Sequence, residues 1–295
     1  MARKQHYGRD LWNQMCDYVQ GPDGLPDYSC GIWTIEKLFF LCQYLAQTTQ
    51  AMYNNPKFNS LNYVDLFCGP GVCCVNNNGS VRRYPGSVVL AAGCIKPFTN
   101  IYLVEKDPAR LNAAKERIAK INKVSKVHGW NDDANKIVDE VASAIPERSL
   151  TVAFVDPYSL NIHFETIRKL ARARPLDLLI LFADRMDLER NVQATYYPQP
   201  NGKLDLFLGP SSNWRTKWDQ LVNRDNGRIR QMFAELYLEQ LAALGYQHAK
   251  TRIINGDHGP LYRLVYASKH ELGLKFWKIA ESEDLGGERK LWPEM

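Results

Sequence analysis

Apolar and polar positions follow two alternating periods through the middle of the chain. Five short apolar runs, at 63–67, 101–104, 126–128, 151–155 and 176–182, are separated by segments whose apolar residues recur every three or four positions, at 87–94, 108–122, 135–144 and 164–173. Strand-like runs alternating with helical segments predict βαβ units and a mostly parallel sheet covered on both faces. Upstream, residues 32–50 read as an amphipathic helix with Ile35, Leu38, Phe39, Cys42 and Leu45 on one face and Thr34 as a candidate N-cap. Downstream, 228–244 reads as a helix ending at Gly245. Two strand-like runs follow, 248–254 and 261–268, around the turn Asn255-Gly256-Asp257-His258-Gly259, and predict an antiparallel pair closing the sheet. Two segments break the rhythm. Residues 1–30 are polar and loop-rich, and 183–227, with YYPQPNG and LGPSSNW, is too long for an ordinary loop. The second is expected to be an insertion with structure of its own or a lid. The expected architecture is a doubly wound, mostly parallel, seven-stranded Rossmann-like α/β sheet with an antiparallel last strand. A helical extension is expected over residues 1–60, ahead of a main domain over 61–295.

Composition narrows this little. With 295 residues, 45% hydrophobic and 23% charged, the chain is of globular type. No apolar run approaches the roughly 18 residues a membrane span needs. The basic N-terminus has no apolar stretch behind it, so no secretory signal is expected. Seven cysteines without a paired framework spacing favour a reducing, cytoplasmic setting. Cys68, Cys73 and Cys74 lack zinc-ligand spacing and read as small buried residues. His163, His248 and His258 show no ligand pairing either, so no metal is expected. A net charge of +5 permits a nucleic-acid partner without demanding one.

The chemistry gathers at strand ends. Residues 63–71, YVDLFCGPG, are a strand running into a Gly-x-Gly loop, where glycine lets the backbone turn sharply and approach a ligand. The next strand ends at Glu105, placed to accept hydrogen bonds from both hydroxyls of a ribose. Cys74 stands where a dinucleotide fold has its third glycine, and the acidic Asp65 before the loop disfavours a pyrophosphate. S-adenosylmethionine fits better, with an ammonium and a sulfonium at one end and a ribose at the other. Asp65, Phe67, Gly69, Gly71 and Glu105 are the candidate cofactor residues, and Asp132, in Asn131-Asp132-Asp133, is a candidate reader of the adenine amino group. Those three are equally candidates for capping the next helix. Glu105 lies 34 positions after Gly71, where about 20 is usual; residues 75–86 look like an inserted loop that accounts for the excess.

Asp156, Pro157 and Tyr158 end the strand at 151–155. A carboxylate and a neighbouring backbone carbonyl can accept both hydrogens of an exocyclic base amine while the tyrosine stacks on the ring, so these three are the candidate catalytic residues. The bland reading is a strand terminated by ordinary turn residues. Two basic clusters are candidate nucleic-acid contacts: Arg168, Lys169 and Arg172 on one helix, and Trp214, Arg215 and Trp218 in the insertion, where aromatics among cations suit base stacking. The alternative is a solvated helix face and a small private core. Lys37, one turn after Trp33, is a candidate for the cofactor's carboxylate or an ordinary surface lysine.

Taken together, Trp33-x-x-x-Lys37-Leu38, YVDLFCGPG, Pro85-Gly86-Ser87, YLVEKD, FVDPYS and YRLVYASKHELGLKFWKI resemble class I S-adenosylmethionine-dependent methyltransferases. More narrowly they resemble the three-Cys-motif partner protein family, TcmP, over about residues 33–279. That family has Ala in place of Cys68 and Phe-Gly in place of Tyr158-Ser159. The resemblance implies a methyltransferase-type sheet and a partner protein with a three-cysteine motif, of radical-S-adenosylmethionine type. The expected activity is methylation of an exocyclic amine of a nucleobase in DNA or RNA. The alternatives are a non-catalytic binding partner with the same fold and a small-molecule methyltransferase.

Overall fold

The structure is a computed structural model and describes residues 7–77, 79–256 and 259–286. In chain order the elements are α1 (Tyr7–Tyr18), β1 (Tyr28–Cys30), α2 (Trp33–Met52), β2 (Ser60–Asp65), β3 (Val72–Asn77), β4 (Ser80–Pro85), α3 (Ser87–Ala92), β5 (Asn100–Val104), α4 (Pro108–Ile121), β6 (Lys126–Trp130), α5 (Ala134–Ala144), β7 (Ser149–Val155), α6 (Phe164–Ala173) and β8 (Leu176–Phe182). After two π-helical turns (Asp184–Glu189 and Val192–Tyr196) come α7 (Lys203–Leu208), a 3₁₀ turn (Pro210–Ser212), α8 (Trp214–Gln220), α9 (Asn226–Ala243), β9 (His248–Gly256), β10 (Gly259–Ser268) and α10 (Glu271–Ala280).

Seven strands form one sheet in the order β6-β5-β2-β7-β8-β10-β9, and β10 runs antiparallel to both of its neighbours. The remaining pairs are parallel. This is the doubly wound, Rossmann-like sheet expected. The chain order reverses between β2 and β7, and open α/β sheets bind their ligands at that crevice. Strands β2, β5 and β8 are buried throughout because helices cover both faces, which is why they read as continuous apolar runs. One face carries α1, α2, α3, α4 and α10; the other carries α5 to α9. Asp107, with Pro108 following, caps α4, Asp133 caps α5 and Asp225 caps α9. Gly245 takes φ +92° after α9, as a C′ glycine should.

Three expectations need correction, and one helix was not anticipated. Residues 7–18 are helical: Leu11, Trp12, Met15 and Cys16 bury one face against α2. Helix α2 starts at Trp33 with no side-chain cap, and Thr34 lies buried inside its first turn. The supposed loop at 75–86 belongs to a hairpin, β3–β4, which β1 joins in parallel to make a separate three-stranded sheet. Residues 271–280 form a further helix against α2. In the expected turn between β9 and β10, Asp257 and His258 lie outside the described residues. Among the described residues no helix is long and apolar enough to cross a membrane.

Candidate functional site

The glycine loop leaves the sheet late. Beyond Asp65 the backbone is still tied to both neighbouring strands, by Leu66 N to Phe154 O at 3.2 Å and Cys68 N to Val104 O at 3.1 Å. Only then do Gly69 (φ +56°) and Gly71 (φ +90°) take left-handed conformations. A Cβ on Gly69 would meet nothing within 4 Å, so that position faces open cleft. The chain then detours through the hairpin and returns with Gly86 N donating to Gly71 O at 2.8 Å. A Cβ at Gly86 would stand 2.8 Å from that oxygen, so the return strand needs glycine there. The turn continues in space from Gly71 to Gly86 and into α3, and Gly86 rather than Cys74 stands where a close-packing glycine is needed. Of the 34 positions between Gly71 and Glu105, 14 are the hairpin Val72–Pro85, which leaves the usual interval of 20.

Asp65 is fully buried beneath this loop. Its Oδ2 accepts from Tyr63 Oη at 2.9 Å and its Oδ1 from Phe67 N at 3.1 Å, and Ser87 at the start of α3 also bonds it. Burial outweighs these donors and pushes the carboxyl up to about 7. Asp65 therefore shapes the loop from below and does not line the cleft. Phe67, Gly69, Gly71 and Glu105 do line it. Glu105 Oε2 accepts from Gly69 N and Oε1 from Asp107 N, each at 3.0 Å, which leaves one lone pair on each oxygen for a ligand. Asp132 stands outside the cleft lining, accepting from Asp133 N; Asp133 caps α5 and pairs with Lys106, and Asn131 donates to the carbonyls of Glu105 and Lys106. Of the trio, Asp133 alone fills the capping role.

At the opposite end of the crevice, Asp156, Pro157 and Tyr158 follow β7 and line the same cleft of about 630 Å³. Lys37 reaches Asp156 from α2, with Nζ 2.6 Å from Oδ2. Burial pulls the ammonium down, but the Asp156 carboxylate more than compensates and its affinity for the proton ends above that of a free lysine. Neither sequence reading of Lys37 had paired it with Asp156. Tyr158 is 79% exposed at the mouth of the cleft. Ser159 holds φ +62°, the conformation a glycine would favour, and its hydroxyl accepts from Lys203 Nζ at 2.5 Å. Lys203 also pairs with Asp187 at 2.8 Å, so the segment after β8 contributes Met186, Asp187 and Lys203 to the acceptor end. Spacing alone gave no signal for these three.

The N-terminal segment forms the remaining wall. Arg117 on α4 is buried and donates to Asp23 and Asp27, to Pro26 O, and to Pro70 O of the glycine loop at 2.7 Å. Arg83 on β4 grips the same segment through Gly21 O, Asp23 and Asp27. Residues 28–31 are thereby held along the cleft. Cys73 on β3 also lines it, and the Cys74 thiol donates to Asp27, so only Cys68 of the cysteine trio is buried.

The basic clusters look different in three dimensions. Trp214 and Trp218 are each 2% exposed and pack on Phe233; their indole N–H groups donate to Asp205 and Gln193. Arg215 lies over Trp214 and spends its donors on Asp205 and the carbonyls of Tyr196, Tyr197 and Gln199. This is a private core and offers no face to a base. On α6, Arg168 pairs with Glu165 and Lys169 with Asp139, and Arg172 lies in the last turn.

No protein-family model matches the chain, and no curated protein matches it. Among solved structures it is similar to protein LPL1258 of Legionella pneumophila, at 12% identity over 79% of this chain and 88% of that one, with a TM-score of 0.47. An O-methyltransferase of Bacillus cereus in complex with SAH follows, at 14% identity over 91% and 93%, with a TM-score of 0.46. A magnesium protoporphyrin IX methyltransferase of Synechocystis with bound SAH gives 12% identity over 88% and 94%, with a TM-score of 0.37. Each likeness is remote, and it is the order and direction of the chain's own strands that make it a doubly wound α/β protein.

Proposed function

We propose that the chain is an S-adenosylmethionine-dependent methyltransferase whose acceptor is an exocyclic amine of a nucleobase. The observation that carries this is one continuous cleft at the sheet's reversal point, with the glycine turn and Glu105 at one end and Asp156-Pro157-Tyr158 at the other. The chain's residues fit the cofactor: Gly69 leaves open the space a side chain would fill, and Glu105 keeps a free lone pair on each oxygen for a diol. Glu105, Phe67, Gly69 and Gly71 would hold the nucleoside part, with Asp65 fixing the turn from beneath. When bound, S-adenosylmethionine supplies an electrophilic methyl on a sulfonium.

The remaining work is alignment. Asp156 and the adjacent backbone carbonyl accept the amine hydrogens, which turns the nitrogen lone pair along the cleft. Tyr158 offers its ring face to the base at the mouth. The segments at 28–31 and 186–187 wall the site from water on two sides. Calorimetric titration of S-adenosylhomocysteine into the wild type and Glu105→Ala tests the cofactor end; micromolar binding that the variant loses supports the reading, and no binding at millimolar ligand refutes it. Methyl transfer to bulk tRNA or DNA that Asp156→Ala abolishes, with cofactor affinity intact, tests the acceptor end.

A further inference from the structure

The Lys37–Asp156 pair has unused hydrogen-bonding capacity on both partners. Asp156 gives Oδ2 to Lys37, while Oδ1 receives no hydrogen bond from the described residues and the side chain is 20% exposed to the cleft. Lys37 carries three donors. One is directed at Asp156, the Tyr262 ring lies 5.7 Å away, and Lys37 makes no further side-chain hydrogen bond or ion pair among the described residues. A lysine only 8% exposed, on a helix where Phe39, Phe40 and Leu41 close by are fully buried, is costly to keep there for a single bond. Its cleft-facing position makes the spare donors available to a ligand.

A donor and an acceptor held side by side match a group that offers an acceptor and a donor on neighbouring atoms. We propose that Lys37 and Asp156 together read one edge of the acceptor. Lys37 donates to a ring nitrogen while Asp156 Oδ1 accepts from the amino group one carbon away. The site then takes flat heterocycles with an amino group beside an unsubstituted ring nitrogen, an edge shared by adenine, cytosine and guanine and absent from phenols, catechols and uracil. Tyr158 and Met186, both exposed where they line the cleft, supply apolar faces for such a ring. This deepens the proposed reaction and rests on it for the placing of the acceptor, while the edge itself is testable without turnover.

The test uses single-ring probes at mildly alkaline pH, where they are neutral, with the protein saturated in S-adenosylhomocysteine and binding followed by saturation-transfer NMR. 2-Aminopyridine carries the edge, aniline lacks the ring nitrogen, and 2-(dimethylamino)pyridine lacks the N–H. The wild type is expected to prefer 2-aminopyridine over each of the others by about tenfold, the cost of leaving one buried charged partner unmatched. Lys37→Met is expected to lose the preference over aniline and keep the preference over 2-(dimethylamino)pyridine. The isosteric Asp156→Asn is expected to do the reverse, and retained S-adenosylhomocysteine affinity shows that each variant is folded. Equal binding of all three probes by the wild type, or an aniline preference unchanged in Lys37→Met, overturns the inference. Failure of S-adenosylhomocysteine to bind would instead refute the cofactor reading, and the probe series on the protein alone would still decide the edge.

Discussion

Single residues at this site carry charge where the surroundings are apolar, and each has a pH or stability signature. Asp65 is held up to about 7 by burial, against roughly 3.9 in an unfolded chain. The folded state therefore holds a proton that the unfolded state gives up between these values. Stability contributed at this position is greatest below about pH 4, falls as pH rises, and levels off above about 7, a swing of the order of 4 kcal/mol. Chemical denaturation at a series of pH values should show Asp65→Asn with a shallower decline than the wild type; parallel curves would show that the carboxyl is not perturbed. The Lys37–Asp156 pair gives an asymmetric prediction. Removing the lysine leaves a carboxylate that water in the cleft can reach, whereas removing the carboxylate strands a buried ammonium. Asp156→Ala should cost about 3 kcal/mol in denaturant unfolding, and Lys37→Met should cost much less. The reverse order would mean that the lysine is well solvated.

At the scale of elements, legibility followed burial. Strand β8 and helix α6 lie where the periodicity places them, and the other strands of the main sheet differ only at their ends; for the central strands the reason is burial on both faces, which gives an uninterrupted apolar signal, while the edge strands β6 and β9 are only partly buried. The N-terminal helix was present in the pattern Leu11, Trp12, Met15, Cys16, but the polar residues interspersed with it and the turn-rich stretch behind it hid the stripe. The hairpin β3–β4 reads as a loop because cations stand on both faces of β4, Arg82 exposed and Arg83 turned onto the N-terminal segment, and the turn is asparagine-rich, which leaves no clean alternation. The site was legible where its residues sit at the ends of central strands: Gly69, Gly71, Glu105 and Asp156 were all found that way. Lys37, Met186, Asp187 and Lys203 arrive from other elements, and one-dimensional spacing holds no trace of that meeting. Gly86 tests the hairpin as a detour in a single turn. Gly86→Ala would press a methyl against Gly71 O and should cost about 1–3 kcal/mol and weaken S-adenosylhomocysteine binding; unchanged affinity would show that the two halves of the turn move independently.

For the molecule as a whole, the buried tryptophans change what its mild positive charge means. Trp214→Ala and Trp218→Ala should each destabilise the fold by about 3–5 kcal/mol, since each removes an aromatic from a closed cluster. Neither should change the salt dependence of any oligonucleotide binding, which depends on phosphate contacts made by surface cations. A lowered salt slope in either variant would contradict the packing described here.

Lys37 and Asp156 lie 119 positions apart in the chain, and their contact bears on assembly as well as on recognition. During synthesis α2 emerges long before β7. Until β7 arrives, docking α2 on the half-made sheet would bury an ammonium with no counter-charge. The lysine therefore penalises premature packing of the N-terminal segment and rewards it once the central strands are in place. The extension and the sheet should unfold as one cooperative unit, and a chain beginning after α2 should lack the ammonium, the wall at 28–31 and a large part of one core face together.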